Sequence, residues 1–105
     1  MSGLDNTSLT VRTATGTTDT LTQNDFVVVY TNTSAKTVNF PAVAAVQPGR
    51  QYSIINAAAG AITVDGNASE TIDGATTKTI AATTGRATFV SDGTQWFSVG
   101  SVGLT

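Results

Sequence analysis

Short runs of β-branched and aromatic residues, separated by turn-forming residues, recur along this chain at intervals of roughly ten residues. Asp25–Thr31 is the strongest run, because it is rich in valine and aromatic residues and is too short for a helix. Only Ala42–Val46 favours a helix, and the prolines on either side limit it to one short turn. The pattern predicts an all-β domain with no significant helix. We expect a small antiparallel β-sandwich, or a barrel-like domain of jelly-roll or tulip-like shape.

Turn chemistry separates the runs. Ala57–Gly60 is predicted to turn the chain and Ala61–Val64 to return it. Three Asp-Gly pairs stand out, at Asp65-Gly66, Asp73-Gly74 and Asp92-Gly93. Loop carboxylates are also calcium ligands, but the spacing does not match a calcium-binding loop. We interpret the pairs as hairpin turns, and Asp92-Gly93 as a two-residue type I′ turn in which both residues have positive φ.

Alternation within the predicted strands assigns one face of each strand to the core. Trp96 and both tyrosines have an alternative interpretation as stacking platforms for sugars or bases, but their period-2 positions favour the core. Phe97 lies on the opposite face from Trp96 and is predicted to be exposed or at an interface. The predicted core residues are Phe26, Val28, Tyr30, Val38, Phe40, Tyr52, Ile54, Ile62, Val64, Ile72, Ile80, Phe89 and Trp96.

The composition argues against most kinds of chemistry. The chain has no histidine, which removes the commonest general base, and no cysteine, which removes thiolate chemistry and disulfides. Only 11% of its residues are charged, the five cations are scattered, and no apolar run reaches the length of a membrane span. Threonine, with 21 residues, supplies neutral hydroxyls that meet another protein at low desolvation cost. We therefore predict a non-enzymatic binding protein with no cofactor and no metal, which binds neither nucleic acid nor membrane.

An ordered series of motifs covers about residues 25–99. Its clearest parts are Gly49-Arg50-Gln51-Tyr52-Ser53-Ile54-Ile55-Asn56 and the closing Ser91-Asp92-Gly93-Thr94-Gln95-Trp96. The series resembles a β-module of tailed-bacteriophage virion proteins, found in tail fibres, head fibres and capsid decoration proteins. One departure is Phe40, where that module usually has leucine before the proline.

The resemblance implies a structural virion protein. We expect a capsid decoration, or cement, protein that binds the major capsid protein of the assembled head and stabilises it, as a homotrimer on the capsid surface after synthesis in the bacterial cytoplasm. The alternative is a tail-fibre or receptor-binding module that binds a host-surface glycan through exposed aromatic side chains.

The resemblance also divides the chain. Residues 25–105 form the predicted sandwich module, and residues 1–24 lie outside it as an N-terminal arm or edge strands. An arm of this kind is a candidate grip on the capsid or on a neighbouring subunit. The alternative is that the segment contributes only to the core. The candidate contact residues are Leu4, Leu9, Val11, Arg12 and Phe97.

Overall fold

The computed structural model describes residues 10–105, which form two packed β-sheets. Nine strands and one 3-10 turn, Val43–Ala45, make up the fold. The strands are β1 (Val11–Ala14), β2 (Thr18–Thr20), β3 (Val27–Tyr30), β4 (Lys36–Asn39), β5 (Gln51–Asn56), β6 (Ile62–Asp65), β7 (Thr77–Ile80), β8 (Arg86–Ser91) and β9 (Trp96–Val102). The all-β sandwich prediction is confirmed, and the single short turn lies within the segment that favoured a helix.

The chain alternates between the sheets over its first six strands. One sheet has the order β1-β3-β5-β8-β9 and the other has the order β2-β4-β6-β7. Because each of these connections crosses to the opposite sheet, successive strands of one sheet run parallel, as in a flattened solenoid of three coils. β7, β8 and β9 then add antiparallel pairs. The sheets are therefore mixed, where the sequence analysis expected antiparallel sheets. The turns at residues 31–35 and 57–61 are arches between sheets and not hairpins within one.

The turn chemistry also differs from the prediction at two of the three Asp-Gly pairs. Asp65 belongs to β6, and the Gly66 N–H donates to the Thr76 carbonyl at 3.0 Å, so the chain does not turn at this pair. Asp73 and Gly74 both have positive φ, 52° and 86°, between the mutually hydrogen-bonded residues Ile72 and Ala75. This geometry is that of a type I′ turn. At Asp92-Gly93 only the glycine has positive φ, so the predicted type I′ turn is wrong there. The Asp92 carboxylate accepts hydrogen bonds from the backbone of Thr94 and Gln95 at 2.9 Å, which builds a longer loop.

The space between the sheets holds an aromatic cluster. Phe40 packs edge-on against Trp96, with ring centroids 4.9 Å apart, and against Phe89 at 5.2 Å. Tyr52 lies 5.6 Å from Trp96. Every predicted core residue is buried except Phe26, which is only partly buried. The core also contains residues that the sequence analysis did not include: Ala14, Leu21, Val43 and Ala87.

One buried lysine holds the arches together. Lys36 is 2% exposed, and its Nζ donates to the carbonyls of Asn32 at 2.6 Å and of Ala59 and Gly60 at 3.0 Å. All three ammonium protons therefore have acceptors, which a buried charge requires. Asn32 Nδ2 in turn donates to the carbonyl of Thr15 in the first arch, 2.9 Å away. These contacts tie the three arches into one stack at one end of the sandwich.

Candidate interaction surface

The two outer faces of the sandwich differ in chemistry. On the four-stranded sheet, the strand register places Thr18, Thr37, Thr63 and Thr79 side by side in one row across all four strands. None of these four hydroxyls hydrogen-bonds to another described residue. We name the outer face of this sheet the threonine face. Its outward residues are Thr18, Thr20, Thr37, Asn39, Thr63, Asp65, Thr77 and Thr79.

The five-stranded sheet presents mainly apolar side chains on its outer side, and we name this surface the apolar face. Val11 is 69% exposed, Val102 is 57% exposed and Phe97 is 38% exposed. The other apolar residues of this face are partly buried. Arg86 is the one charged residue among the outward positions of these strands. Those positions are Val11, Thr13, Val27, Val29, Gln51, Ser53, Ile55, Arg86, Thr88, Val90, Phe97, Gly100 and Val102. A contiguous exposed apolar patch on a small protein marks a surface for binding.

The candidate contact residues fall in different places. Val11 and Phe97 lie near opposite edges of the apolar face, on β1 and β9. Leu4 and Leu9 lie outside the described residues. Of the predicted arm, residues 11–14 and 18–20 form the edge strands β1 and β2. The sequence analysis missed the middle of the apolar face, because it did not establish which strands share a sheet.

Arg12 is engaged inside the molecule. It points between the sheets, where its guanidinium contacts the carboxylate of Asp19 on β2 at 2.7 Å and that of Asp25 at 2.8 Å. The Tyr30 hydroxyl donates to the same Asp19 carboxylate at 2.6 Å. The hydrogen bonds that Arg12 donates to the two aspartates raise its pKa, and burial together with the hydrogen bond to Asp19 raises the pKa of Tyr30. Arg12 thus joins the edge strands β1 and β2 through its ion pair with Asp19.

A depression of about 500 Å³ lies beside the 3-10 turn, between Gln23, Pro48 and Arg50. The cation that lines it, Arg50, is bound to other residues of the fold. The Arg50 guanidinium lies over the Tyr52 ring, 4.4 Å from the centroid, and donates to the backbone carbonyl of Asp25. The remaining lining is mostly alanine, valine and backbone. We therefore regard the apolar face as the better candidate for binding.

The structure also tests the aromatic side chains on which a glycan-binding module would depend. Trp96, Tyr30 and Tyr52 are fully buried, which confirms their assignment to the core. Phe97 is the large aromatic that the described residues leave exposed. The glycan alternative predicted more than one exposed aromatic side chain, and the described residues provide a single large one, Phe97.

Among residues 10–105, no group of three or more acidic side chains is arranged to hold a metal ion. The same part of the chain contains no helix long and apolar enough to cross a membrane. No protein-family model matches the chain, and no curated protein matches it either. The case for function therefore depends on the chemistry of the two faces and on the sequence resemblance.

Proposed function

We propose that this protein is a structural component of a tailed-phage particle, a capsid decoration protein that binds the assembled head through its apolar face. The observation that carries the proposal is the contrast between the two faces: threonine predominates on one, and apolar side chains predominate on the other, which has a single charge. The resemblance of residues 25–99 to virion modules supplies the kind of partner.

The physical role follows from this contrast. Burying the apolar face against the shell removes Val27, Val29 and Ile55 from water, at about 25 cal/mol for each Å² of apolar surface. Binding to the assembled shell and not to its dissociated subunits stabilises the shell by mass action. The threonine face then remains in water, where neutral hydroxyls keep the particle surface hydrated.

Two matched variants test the docking face. Thr88 and Thr63 are both partly buried threonines in the interior of an outer face, Thr88 on the apolar face and Thr63 on the threonine face. Thr88→Lys places a second cation in the contact, and we expect it to weaken capsid binding roughly tenfold or more. Thr63→Lys should bind like the wild type.

The measurement is co-sedimentation with capsid shells assembled from the major capsid protein encoded in the same genome. Wild-type protein should saturate the shells at a fixed ratio. Failure of the wild type to bind shells would overturn the proposal. Equal losses in Thr88→Lys and Thr63→Lys would exclude the apolar face as the docking surface.

We also propose that the protein is a homotrimer, as the resemblance and the small core suggest. A chain of 105 residues buries only roughly 60–70% of its unfolded surface, so association adds useful burial. Analytical ultracentrifugation at micromolar concentration should give the mass of three chains. A stable monomer would contradict this part of the proposal.

A further inference from the structure

An apolar groove of about 430 Å³ runs across the middle of the apolar face. Its floor contains the short side chains of Ser53 and Thr88 and the bare backbone of Gly100, which the register aligns across β5, β8 and β9. Ile55 and Val102 form a wall along one side. The volume falls within the roughly 300–1,000 Å³ of ordinary ligand pockets and is large enough for one or two big side chains.

Gly100 leaves this groove open, although the fold does not require a glycine at this position. Its φ is not in the left-handed region, so an ordinary residue can adopt its backbone conformation. A Cβ added there meets no atom within 4 Å. By contrast, an added Cβ at Gly60 clashes with the backbone of Ser34. The fold therefore tolerates a side chain at residue 100, and the effect of the glycine is the open groove.

Arg86 gives the groove a charge. It lies beside Ile55 and Val102 in the same row and lines the groove. Its Nε donates to the carbonyl of Thr84 at 3.3 Å, and it pairs with no carboxylate among the described residues. The groove thus combines apolar walls with one cation at the rim, which is complementary to an apolar group beside an anion.

We propose that the groove is the anchor site for a segment of the partner protein that presents a large apolar side chain next to a carboxylate. The apolar side chain would occupy the space above Gly100, and the carboxylate would pair with Arg86. This inference rests on the proposed function, because it names the part of the partner that the apolar face recognises.

The test uses two short probes and isotope-labelled protein. N-acetyl-Phe-Asp amide carries both features, and N-acetyl-Phe-Asn amide lacks only the charge. In NMR titrations we expect saturable shifts at Thr88, Gly100 and Val102, with the acidic probe binding roughly two- to fivefold more tightly, the range of an exposed ion pair.

Two variants separate the two features. Gly100→Leu fills the groove and should abolish the shifts from both probes, while its thermal unfolding stays close to that of the wild type. Arg86→Gln should bind both probes equally. Lys78→Gln removes a cation from the other sheet as a control and should keep the preference for the acidic probe.

Three results would overturn the inference. The first is the absence of saturable shifts, and the second is undiminished binding of the probes by Gly100→Leu. The third is equal shifts from a neutral disaccharide, which would indicate a glycan site. Capsid co-sedimentation separates this failure from that of the proposed function. If Gly100→Leu binds shells normally and Thr88→Lys does not, the groove assignment fails and the docking face stands.

Discussion

Asp25 is a buried carboxylate whose ionisation makes the stability of the fold depend on pH. Its side chain is 6% exposed, and its carboxylate accepts hydrogen bonds from the Arg12 guanidinium and from the Thr22 backbone N–H at 2.9 Å. Burial by itself would raise the pKa of Asp25, but the hydrogen bonds from Arg12 and Thr22 outweigh it and hold the pKa below its ordinary value. Folding therefore favours the ionised carboxylate.

We expect Asp25→Asn to lower the free energy of unfolding at neutral pH by about 1–3 kcal/mol, because one of the two charged partners of Arg12 is lost. The contribution of the ionised carboxylate is present above its ordinary pKa and disappears as the pH falls through the lower folded value. The difference between wild type and variant should therefore shrink between about pH 5 and about pH 2. Thermal unfolding across this range checks it.

The control is Asp65→Asn. The Asp65 carboxylate lies on the threonine face and makes no hydrogen bond to another described residue, so its replacement should change stability little. A gap between wild type and Asp25→Asn that stays constant down to the lowest pH would contradict the role given to the Arg12–Asp25 pair.

At the scale of strands and turns, Gly60 is the residue on which the stacking of two arches depends. It has a φ of 86°, and an added Cβ would overlap the backbone of Ser34 in the neighbouring arch. Gly74 has the same φ of 86°, but an added Cβ there meets no atom within 4 Å. Both glycines therefore need a positive φ, but only Gly60 lies close against the backbone of another residue.

We expect Gly74→Ala to cost about 1–2 kcal/mol, the strain of a left-handed alanine. Gly60→Ala should cost at least about 1 kcal/mol more, because the two arches must also separate. Chemical denaturation of both variants measures the difference. Equal losses of stability would show that the arches are not tightly packed at Gly60.

The sequence predicted strands and turns well, but not the partners of the strands. Alternation places Val28 and Tyr30 in the core from local pattern alone, and the structure confirms both. The same turn residues suit a hairpin within one sheet and an arch between two, so the turn predicted at Ala57–Gly60 is present but its local sequence does not say which kind it is. An arch is distinguished by long-range packing, such as the contact of Gly60 with Ser34, which no local pattern encodes.

For the whole molecule, this limit explains why the candidate surface was only partly predicted. Val11 is a candidate as part of the predicted arm and Phe97 as a residue facing away from Trp96, and both lie on the apolar face. Arg12 was selected too, yet its partners Asp19 and Asp25 are distant in sequence and hold it within the fold. The central groove needs the register of β5, β8 and β9, which is a property of the assembled sheets.

The apolar face predicts weak dependence of capsid binding on salt. With Arg86 as its one outward charge, raising the salt from about 0.1 M to about 1 M screens a single ion pair and leaves the burial of apolar surface intact. Capsid affinity should therefore fall less than roughly fivefold. Calorimetry should also give a negative heat-capacity change of binding. A steep loss of affinity with salt would indicate a contact made through charges elsewhere.

The coil arrangement gives the molecule a direction. β1 and β2 lie at the same end of the coil stack, and each leaves one backbone edge without a strand partner among the described residues. At the opposite end, β9 and β7 are joined by backbone bonds from Ala81 to Gly103 and from Thr105 to Thr79, each 2.8 Å long. The two ends of the coil stack therefore offer different contacts to a neighbouring chain. At one end the described residues leave strand edges with free backbone groups, and at the other the chain's last residues bridge the two sheets.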